Sequence, residues 1–441
     1  MISKIIQILL GTGMVFILLP WSSSAQEPFN YPLIEHEYLP NIKSSKLYNL
    51  DVQKERPIWV LNENQKLQKL YLIFDDLDAD TKYYEFSILH CTSDWQQSDL
   101  DITEYSRGYL RTEIEEFQFS IQTKQSYTTY SYVFDIDNIP WYKSGNYLLI
   151  VWDVTDDDKV AFTKRLFVLD DKVPLKVNTT LPLRPGVQRR NQAFEVTVDL
   201  EDFKIFKPEK ELLLSVYQNM RWDNPLLNMT FFNRLGHIFE FGRPDEISFP
   251  GLKEFRSLDI RSARYRSIDI EVIERTDEHI WMLHEIDYPR TYQEYLYERD
   301  RNGTFFFINN DREIQGELRT EYINVLFTLK MKELNDQEVY WTGPHIGWEL
   351  LPEYRMRYDN NREAYFLETL LKQGYYDYTY VLKDMETHKI DITGLEGSTY
   401  KADNDYIFMF YYRDRGERYD QLIGISYYSF LGGPLTLFDY K

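Results

Sequence analysis

The sequence predicts an all-β protein in which three β-sandwich domains, immunoglobulin-like or early-set in type, follow one another behind a signal peptide. Short runs of alternating apolar and polar residues recur along the chain, and turn residues separate these runs at even spacing. No sustained 3.6-residue apolar stripe follows the N-terminal segment. At roughly 100 to 200 residues per domain, a chain of 441 residues has room for three separate cores.

Residues 1–25 have the pattern of a signal peptide. Lys4 supplies a positive charge, an apolar run covers residues 5–19, and Ser23-Ser24-Ala25 forms a small-residue cleavage site before Gln26. The apolar run is shorter than the about 20 residues that a bilayer span needs, and an uncleaved anchor is the alternative. We therefore expect an exported chain that begins near Gln26 and does not insert directly into a membrane.

Charge and cysteine content exclude several classes of protein. The formal net charge is −21, with 71 acidic against 50 basic residues, whereas nucleic-acid binding needs a basic stripe, so we expect no nucleic acid among the partners. The lone cysteine, Cys91, cannot form an internal disulfide, so packing must stabilise the fold. Its aromatic surroundings favour a small buried hydrophobe over a nucleophile.

The first domain is expected over residues 26–172, and its central feature is a predicted hairpin at 69–95. Leu70, Leu72 and Phe74 alternate into one face, and an acidic turn follows. The expected return strand alternates in the same way, with Tyr84, Phe86, Ile88 and His90 on one face. Further strands are predicted near 42–50, 58–61, 116–122, 127–134, 145–153 and 161–169.

A linker at 170–174 leads into a second expected sandwich, 173–318, and a polar stretch at 310–320 leads into a third, early-set-like sandwich, 319–441. In the second domain, Asn302-Gly303 predicts a type I′ hairpin between 295–297 and 305–307, because both central residues must take positive φ. In the third domain, strands are predicted at 322–329, 338–341, 364–371, 375–382, 406–412 and 423–430.

One acidic turn is compatible with calcium binding. Asp76, Asp78 and Asp80 alternate as at the start of a calcium loop, but Thr81 and Ser87 stand where such a loop needs Gly and Glu. We favour a solvated turn in which Asp bonds its own backbone, and calcium is the alternative.

No other pattern indicates catalysis. The seven histidines form no H-x-x-x-H pair, and the chain contains no G-x-S-x-G, P-loop or G-x-G-x-x-G motif. We expect no enzyme activity, no catalytic, cofactor-binding or metal-binding residue, no cofactor and no small-molecule substrate. A hydrolase is the third-ranked alternative, and no residue is assigned to partner binding.

Two polar clusters allow two interpretations. Residues 221–224 (RWDN) and 255–265 (FRSLDIRSARY) combine Arg, Trp and Tyr, which dominate interface energies. The alternative, which we favour, is an internal network of Arg and Asp that ties loops down.

The last domain contains an aromatic pattern of its own. Trp341, Trp348 and the tyrosine-rich run at 375–380 resemble the early-set sandwich of glycogen-binding modules. Exposed rings there could stack on sugar, so an envelope polysaccharide-binding protein is the alternative function.

Several stretches together resemble one family, the plug proteins of the type IX secretion system of Bacteroidota, formerly a domain of unknown function. The stretches are FDDLDAD at 74–80, HCTSDWQQSDL at 90–100, SGNYLL at 144–149, QNMRWDN at 218–224, FPG at 249–251, EFR at 254–256, DIRS at 259–262 and KQGYY at 372–376. The resemblance spans nearly the whole mature chain and depends on their order and spacing.

The resemblance implies a non-enzymatic periplasmic protein associated with the outer-membrane translocon. It would bind the periplasmic opening of the very large translocon barrel and seal it while no substrate passes. A pore wide enough for folded cargo would leak solutes, and a rigid body of several sandwiches is a suitable stopper.

Overall fold

The computed structural model describes residues 29–49, 57–61, 68–106, 111–135, 137–243, 245–297, 300–311 and 317–435. The expected signal peptide lies outside these ranges. The described helices are single turns: α1 (Ile102–Tyr105), α2 (Pro185–Gln188) and α3 (Pro208–Glu211), with 3₁₀ turns at Glu317–Arg319, Pro344–Ile346 and Pro352–Tyr354. None of these described helices has the length and apolar character to cross a bilayer. The prediction of an all-β sandwich protein is confirmed.

Two facing sheets form the first sandwich. Its strands are β1 (His36–Glu37), β2 (Ile42–Asn49), β3 (Ile58–Val60), β4 (Leu70–Asp76), β5 (Tyr84–Cys91), β6 (Thr112–Glu113), β7 (Glu116–Phe119), β8 (Thr128–Phe134), β9 (Gly145–Asp153) and β10 (Lys159–Leu169). One sheet has the order β2-β4-β8-β7, and the other has the order β1-β10-β9-β5-β6, with β3 parallel to β10. Leu72, Phe74, Phe86 and Tyr147 are among the buried side chains between them.

The predicted hairpin at 69–95 is wrong in its pairing. β4 pairs with β2 and β8, whereas β5 pairs with β9 and β6, so the two strands lie in opposite sheets. The predicted burial of the alternating apolar residues is confirmed, because both strands bury one face in the same core. Alternation specifies which face is buried but does not identify the neighbouring strand.

Residues 175–250 supply one complete sheet of the second sandwich and two strands of the other. Their strands are β11 (Leu175–Thr180), β12 (Asn191–Asp199), β13 (Leu212–Gln218), β14 (Leu226–Met229), β15 (Asn233–Leu235), β16 (Ile238–Phe241) and β17 (Ser248–Pro250). One sheet has the order β11-β12-β16-β15, with β17 also on β12. β13 and β14 belong to the opposite sheet, which the end of the chain completes.

The third sandwich interrupts the second. Its strands are β18 (Arg256–Asp259), β19 (Ile270–Arg275), β20 (Ile280–His284), β21 (Phe305–Phe307), β22 (Tyr322–Leu329), β23 (Gln337–Thr342), β24 (Arg357–Asp359), β25 (Ala364–Lys372), β26 (Gly374–Asp384) and β27 (Ile390–Asp391). One sheet has the order β19-β20-β22-β25-β24, and the other gathers β18, β21, β23 and β27 around β26.

The chain then returns to the second sandwich through β28 (Asp405–Tyr412), β29 (Gln421–Ser429) and β30 (Gly433–Leu435). These strands extend the sheet of β13 in the order β14-β13-β28-β29-β30, and Phe408 and Phe410 join the core of Phe194 and Val196. The expected division at 318/319 therefore differs from the strand pairing, since β18–β21 belong with β22–β27. Sequence order misled here because β13 pairs with a strand nearly 200 residues away.

At the turn Asn302-Gly303, the predicted backbone conformation is confirmed but the predicted strand pairing is not. Both residues take positive φ, 52° and 77°, as predicted. The following strand β21 pairs with β26, however, and residues 295–297 form no strand. Turn chemistry fixed the local backbone but not the partner of the strand that follows it.

The first and second sandwiches share a further apolar layer. Leu89, Leu148 and Phe167 on the outer face of one sheet pack against side chains of the second sandwich, including Met409 and Leu422. β9 and β28 are consequently buried on both faces and read as nearly continuous apolar runs.

Candidate functional site

The acidic turn after β4 is bonded within the protein. The buried Asp76 carboxylate accepts hydrogen bonds from Asn41 Nδ2 at 2.8 Å and the Tyr84 hydroxyl at 2.9 Å, and Lys82 Nζ lies 3.1 Å away. Burial acts to raise the pKa of Asp76, but hydrogen bonds from Asn41, the Asp78 amide, Tyr84 and Lys82 lower it. Asp78 and Asp80 are exposed. Within the described ranges, no cluster of three His, Cys, Asp or Glu is arranged to hold a metal ion.

The buried-hydrophobe interpretation of Cys91 is confirmed. Its side chain is fully buried in the layer between the first two sandwiches. Burial raises the pKa of the Cys91 thiol to about 12, so the thiolate needed for nucleophilic attack is not formed near neutral pH.

One arginine from each arginine-rich cluster, Arg221 and Arg256, is buried in an internal network, as we favoured. Arg221 makes two hydrogen bonds with Asp223, at 2.9 and 2.6 Å, and its guanidinium lies 4.5 Å from the ring of Trp348. Arg256 bonds Glu396 at 2.9 Å and Asp287 at 2.5 Å. Arg221 and Arg256 therefore connect segments within the body, whereas Arg264 and Tyr265, at the end of the second cluster, are exposed.

The aromatic residues that suggested sugar binding lie in the core. Trp341 and Trp348 are 0% and 1% exposed, and Tyr376, Tyr378 and Tyr380 are also buried. Trp341 stacks on Tyr378 at 5.5 Å between ring centroids. The stacking platform of the alternative interpretation is thus not present at these residues, because a strand buried on its aromatic face gives the same sequence pattern as an exposed platform.

The stretch at 90–100, one of those that resemble the plug family, lies where the first and second sandwiches touch. The Ser93 amide and hydroxyl both donate to Asp420 Oδ2 at 2.9 Å, and Arg413 pairs with the other oxygen at 2.8 Å. Trp95 Nε1 donates to the Tyr217 hydroxyl at 3.1 Å. The stretch at 90–100 therefore serves a contact between domains.

A second set of contacts joins the first and third sandwiches. Lys372 Nζ lies 2.5 Å from Asp75 Oδ2, and both side chains are almost completely buried. The Tyr322 hydroxyl donates to the same carboxylate at 2.7 Å, as does Thr129 Oγ1. The stretches at 74–80 and 372–376, nearly 300 residues apart, thus meet in one ion pair.

Arg165 lies at the junction of the first two sandwiches. Its guanidinium lies 4.3 Å from the ring of Trp95 and 4.9 Å from that of Trp222. Sequence analysis missed this residue, although a charged pair, Lys164-Arg165, inside the apolar run of β10 was a signal that could have found it. The contacts around Arg165, Asp75 and Asp420 hold the three sandwiches together.

One surface of the first sandwich is both apolar and acidic. Tyr83, Phe117, Phe119 and Val154 are 64, 40, 50 and 38% exposed. The Val154 amide donates to the Tyr83 carbonyl at 2.9 Å. The Phe117 ring lies 5.8 Å from that of buried Tyr130, whose hydroxyl accepts a hydrogen bond from the Lys82 amide at 2.7 Å, so the segments of Phe117 and Tyr83 are neighbours. We call this surface the acidic edge.

The charges of the acidic edge are strongly unbalanced. Residues 77–83, 111–119 and 154–159 contain eight acids and three bases. The acids are Asp78, Asp80, Glu113, Glu115, Glu116, Asp156, Asp157 and Asp158. Exposed aromatic rings surrounded by carboxylates suit a protein partner that presents apolar and basic side chains.

The fold and its contacts define the class of protein. It is a body of three β-sandwiches in contact with one another, and Asp75, Arg165 and Asp420 make polar contacts between these domains. Residues 42–170 match the family model described as the Type 9 secretion system plug protein 1st domain. The resemblance to the type IX secretion system plug family that the sequence predicts is therefore confirmed over residues 42–170, the part that matches this first-domain model.

A solved structure shows the same architecture. The chain is similar to a hypothetical protein from Parabacteroides merdae, known from a crystal structure, with a TM-score of 0.84 and 26% sequence identity. The match covers 90% of this chain and 99% of that one, so it includes all three sandwiches. Comparison with curated proteins gives no match.

Proposed function

We propose that the mature protein is a non-enzymatic periplasmic plug that binds the periplasmic opening of the type IX outer-membrane translocon barrel and seals it when no substrate is passing. The observation that carries this proposal is the plug-family first domain in a body whose sandwiches are joined by buried contacts. A stopper must resist deformation, and buried ion pairs and hydrogen bonds between the sandwiches limit hinge motion.

We further propose that the acidic edge contacts the barrel. This surface belongs to the part of the chain that matches the family model. Its exposed Phe117 and Phe119 supply apolar area, and the surrounding carboxylates select a basic partner surface. Charges at the rim of an interface mainly raise the rate of association, so docking through this surface should slow as the salt concentration rises.

Co-purification of the translocon barrel tests the proposal. Tagged protein expressed in its own host should retain the barrel in detergent extracts when no cargo is being exported. Phe117→Ser with Phe119→Ser should reduce recovery of the barrel at least tenfold, and Glu115→Lys with Glu116→Lys should do the same. Asp277→Lys with Glu278→Lys, in an exposed turn of the third sandwich, is the matched control and should leave recovery unchanged.

A second measurement tests the sealing itself. Barrels reconstituted in planar bilayers should conduct ions, and added wild-type protein should close them. Barrel preparations that never contain this chain, or conductance that the protein leaves unchanged, would refute the proposed function.

A further inference from the structure

The hairpin loop between β11 and β12 has a charge opposite to that of the whole chain. Residues 172–194 contain five bases and no acid, whereas the chain carries a net charge of −21. Three of the bases, Arg184, Arg189 and Arg190, lie in the exposed loop itself. Surface charges act over about 8 to 10 Å at physiological salt, so this loop presents a positive surface despite the acidic body.

The same loop exposes two large apolar side chains. Leu181 and Leu183 are 69% and 68% exposed on either side of buried Pro182. The following turn is α2, which has no buried residue, and a side chain at Gly186 would meet no atom within 4 Å. The loop is therefore a convex projection that no described part of the protein covers.

Neighbouring groups leave the arginines largely available. Arg184 is 71% exposed and lies 3.3 Å from Asp245, whose other oxygen accepts the Leu183 amide. Arg189 and Arg190 form no ion pair with any described residue. Glu246 and Arg243 on the adjacent turn offset each other in charge.

An aromatic residue adds to the same surface. The Tyr400 amide donates to the Arg189 carbonyl at 3.2 Å, and the Tyr400 side chain is 40% exposed. Tyrosine is enriched at membrane interfaces, where its ring lies among lipid headgroups and its hydroxyl meets water. We call Leu181, Leu183, Arg184, Arg189, Arg190 and Tyr400 the basic loop.

We propose that the basic loop makes a peripheral contact with an anionic phospholipid surface. The two leucines would enter the boundary between headgroups and acyl chains, and the arginines would pair with lipid phosphates. A convex apolar tip favours lipid over an acidic protein, because a deformable lipid surface can receive it without a preformed pocket. This contact goes beyond the proposed sealing role and would fix which end of the molecule faces the membrane.

Vesicle flotation tests the proposal with the complete mature chain. Vesicles containing about one third phosphatidylglycerol should bind the protein at low salt, whereas pure phosphatidylcholine vesicles should bind it much less. Arg189→Ala with Arg190→Ala should lower the partition coefficient about 25-fold, at about fivefold for each arginine. Leu181→Ser with Leu183→Ser should lower it at least about tenfold.

A matched control is available on the same sandwich. Leu235 is 64% exposed beside Arg234, so Leu235→Ser with Arg234→Ala changes the same residue types elsewhere and should leave binding unchanged. Equal binding to both kinds of vesicle, or equal loss in the control and loop variants, would overturn the proposal. So would arginine-dependent binding to polyglutamate without binding to vesicles, since that result identifies an acidic protein as the partner. These outcomes are independent of whether the protein closes the barrel.

Discussion

Breaking the buried ion pair between Asp75 and Lys372 should destabilise the contact between the first and third sandwiches. Lys372 has no other carboxylate within salt-bridge distance among the described residues. Asp75→Asn keeps the shape of the side chain but removes the charge, so the ammonium would remain buried without a counter-ion. Lys372→Met keeps the length of the lysine and leaves the carboxylate with hydroxyl donors from Tyr322 and Thr129.

Removing one partner of a buried pair costs about 3 to 5 kcal/mol, whereas replacing both is often nearly neutral. At roughly 2 to 4 °C per kcal/mol for a unit of this size, each single variant should lower the melting temperature by about 6 to 20 °C. The double variant should recover most of that loss. Differential scanning calorimetry, which resolves transitions of individual domains, measures both effects.

Two results would refute this reasoning. Single variants that melt within about 1 °C of the wild type would show that the pair contributes little. A double variant whose loss equals the sum of the two single losses would show that Asp75 and Lys372 act independently, because coupled residues deviate from additivity. Lys330→Met, at a half-exposed lysine of the third sandwich, is the control and should change the melting temperature by less than about 2 °C.

Three further predictions follow from buried groups. Cys91 should resist a thiol reagent in the folded protein at pH 8 and react fully in denaturant; rapid labelling of the folded chain would contradict its burial. Burial and repulsion from Asp377 raise the pKa of Asp300 to about 7. Between about pH 4 and pH 7 the folded state therefore binds more protons than the unfolded state, and the free energy of unfolding should fall as the pH rises through this range. Asp300→Asn should therefore have a higher urea midpoint than the wild type at pH 8, and this difference should disappear near pH 4. An equal difference at both pH values would show that the titration of Asp300 does not affect stability. Trp348→Ala should cost about 3 to 5 kcal/mol of stability, and soluble glycans should leave tryptophan fluorescence of the wild type unchanged; saturable quenching would revive the sugar-binding alternative.

Strands and buried faces could be predicted from the sequence because both depend on local patterns. The expected runs at 127–134, 145–153 and 406–412 coincide with β8, β9 and β28 within a residue. What could not be predicted was pairing between distant strands. β13 pairs with its sequence neighbour β14 on one side but with the distant β28 on the other, and the alternation of a strand does not identify its partner.

The contacts between domains were hidden for a related reason. Asp75 and Lys372 each look like an ordinary surface charge in sequence, and only the fold brings them together. The sequence of β28 does contain one indication of these contacts. It is apolar at nearly every position, and a strand buried on both faces must have a packed layer on each side. That pattern indicates a layer beyond a single sandwich, although it does not identify what covers the strand.

The polar character of these contacts has a consequence for the proposed plug. Apolar layers stabilise association without specifying orientation, whereas buried ion pairs and hydrogen bonds are satisfied in one geometry only. The variant Asp75→Leu with Lys372→Met should therefore retain much of its stability yet allow the third sandwich to shift against the first. We expect a broader distance distribution between spin labels on the two sandwiches and incomplete closure of reconstituted barrels. A variant that keeps both the wild-type distance distribution and full closure would show that the apolar layers alone set the shape of the stopper.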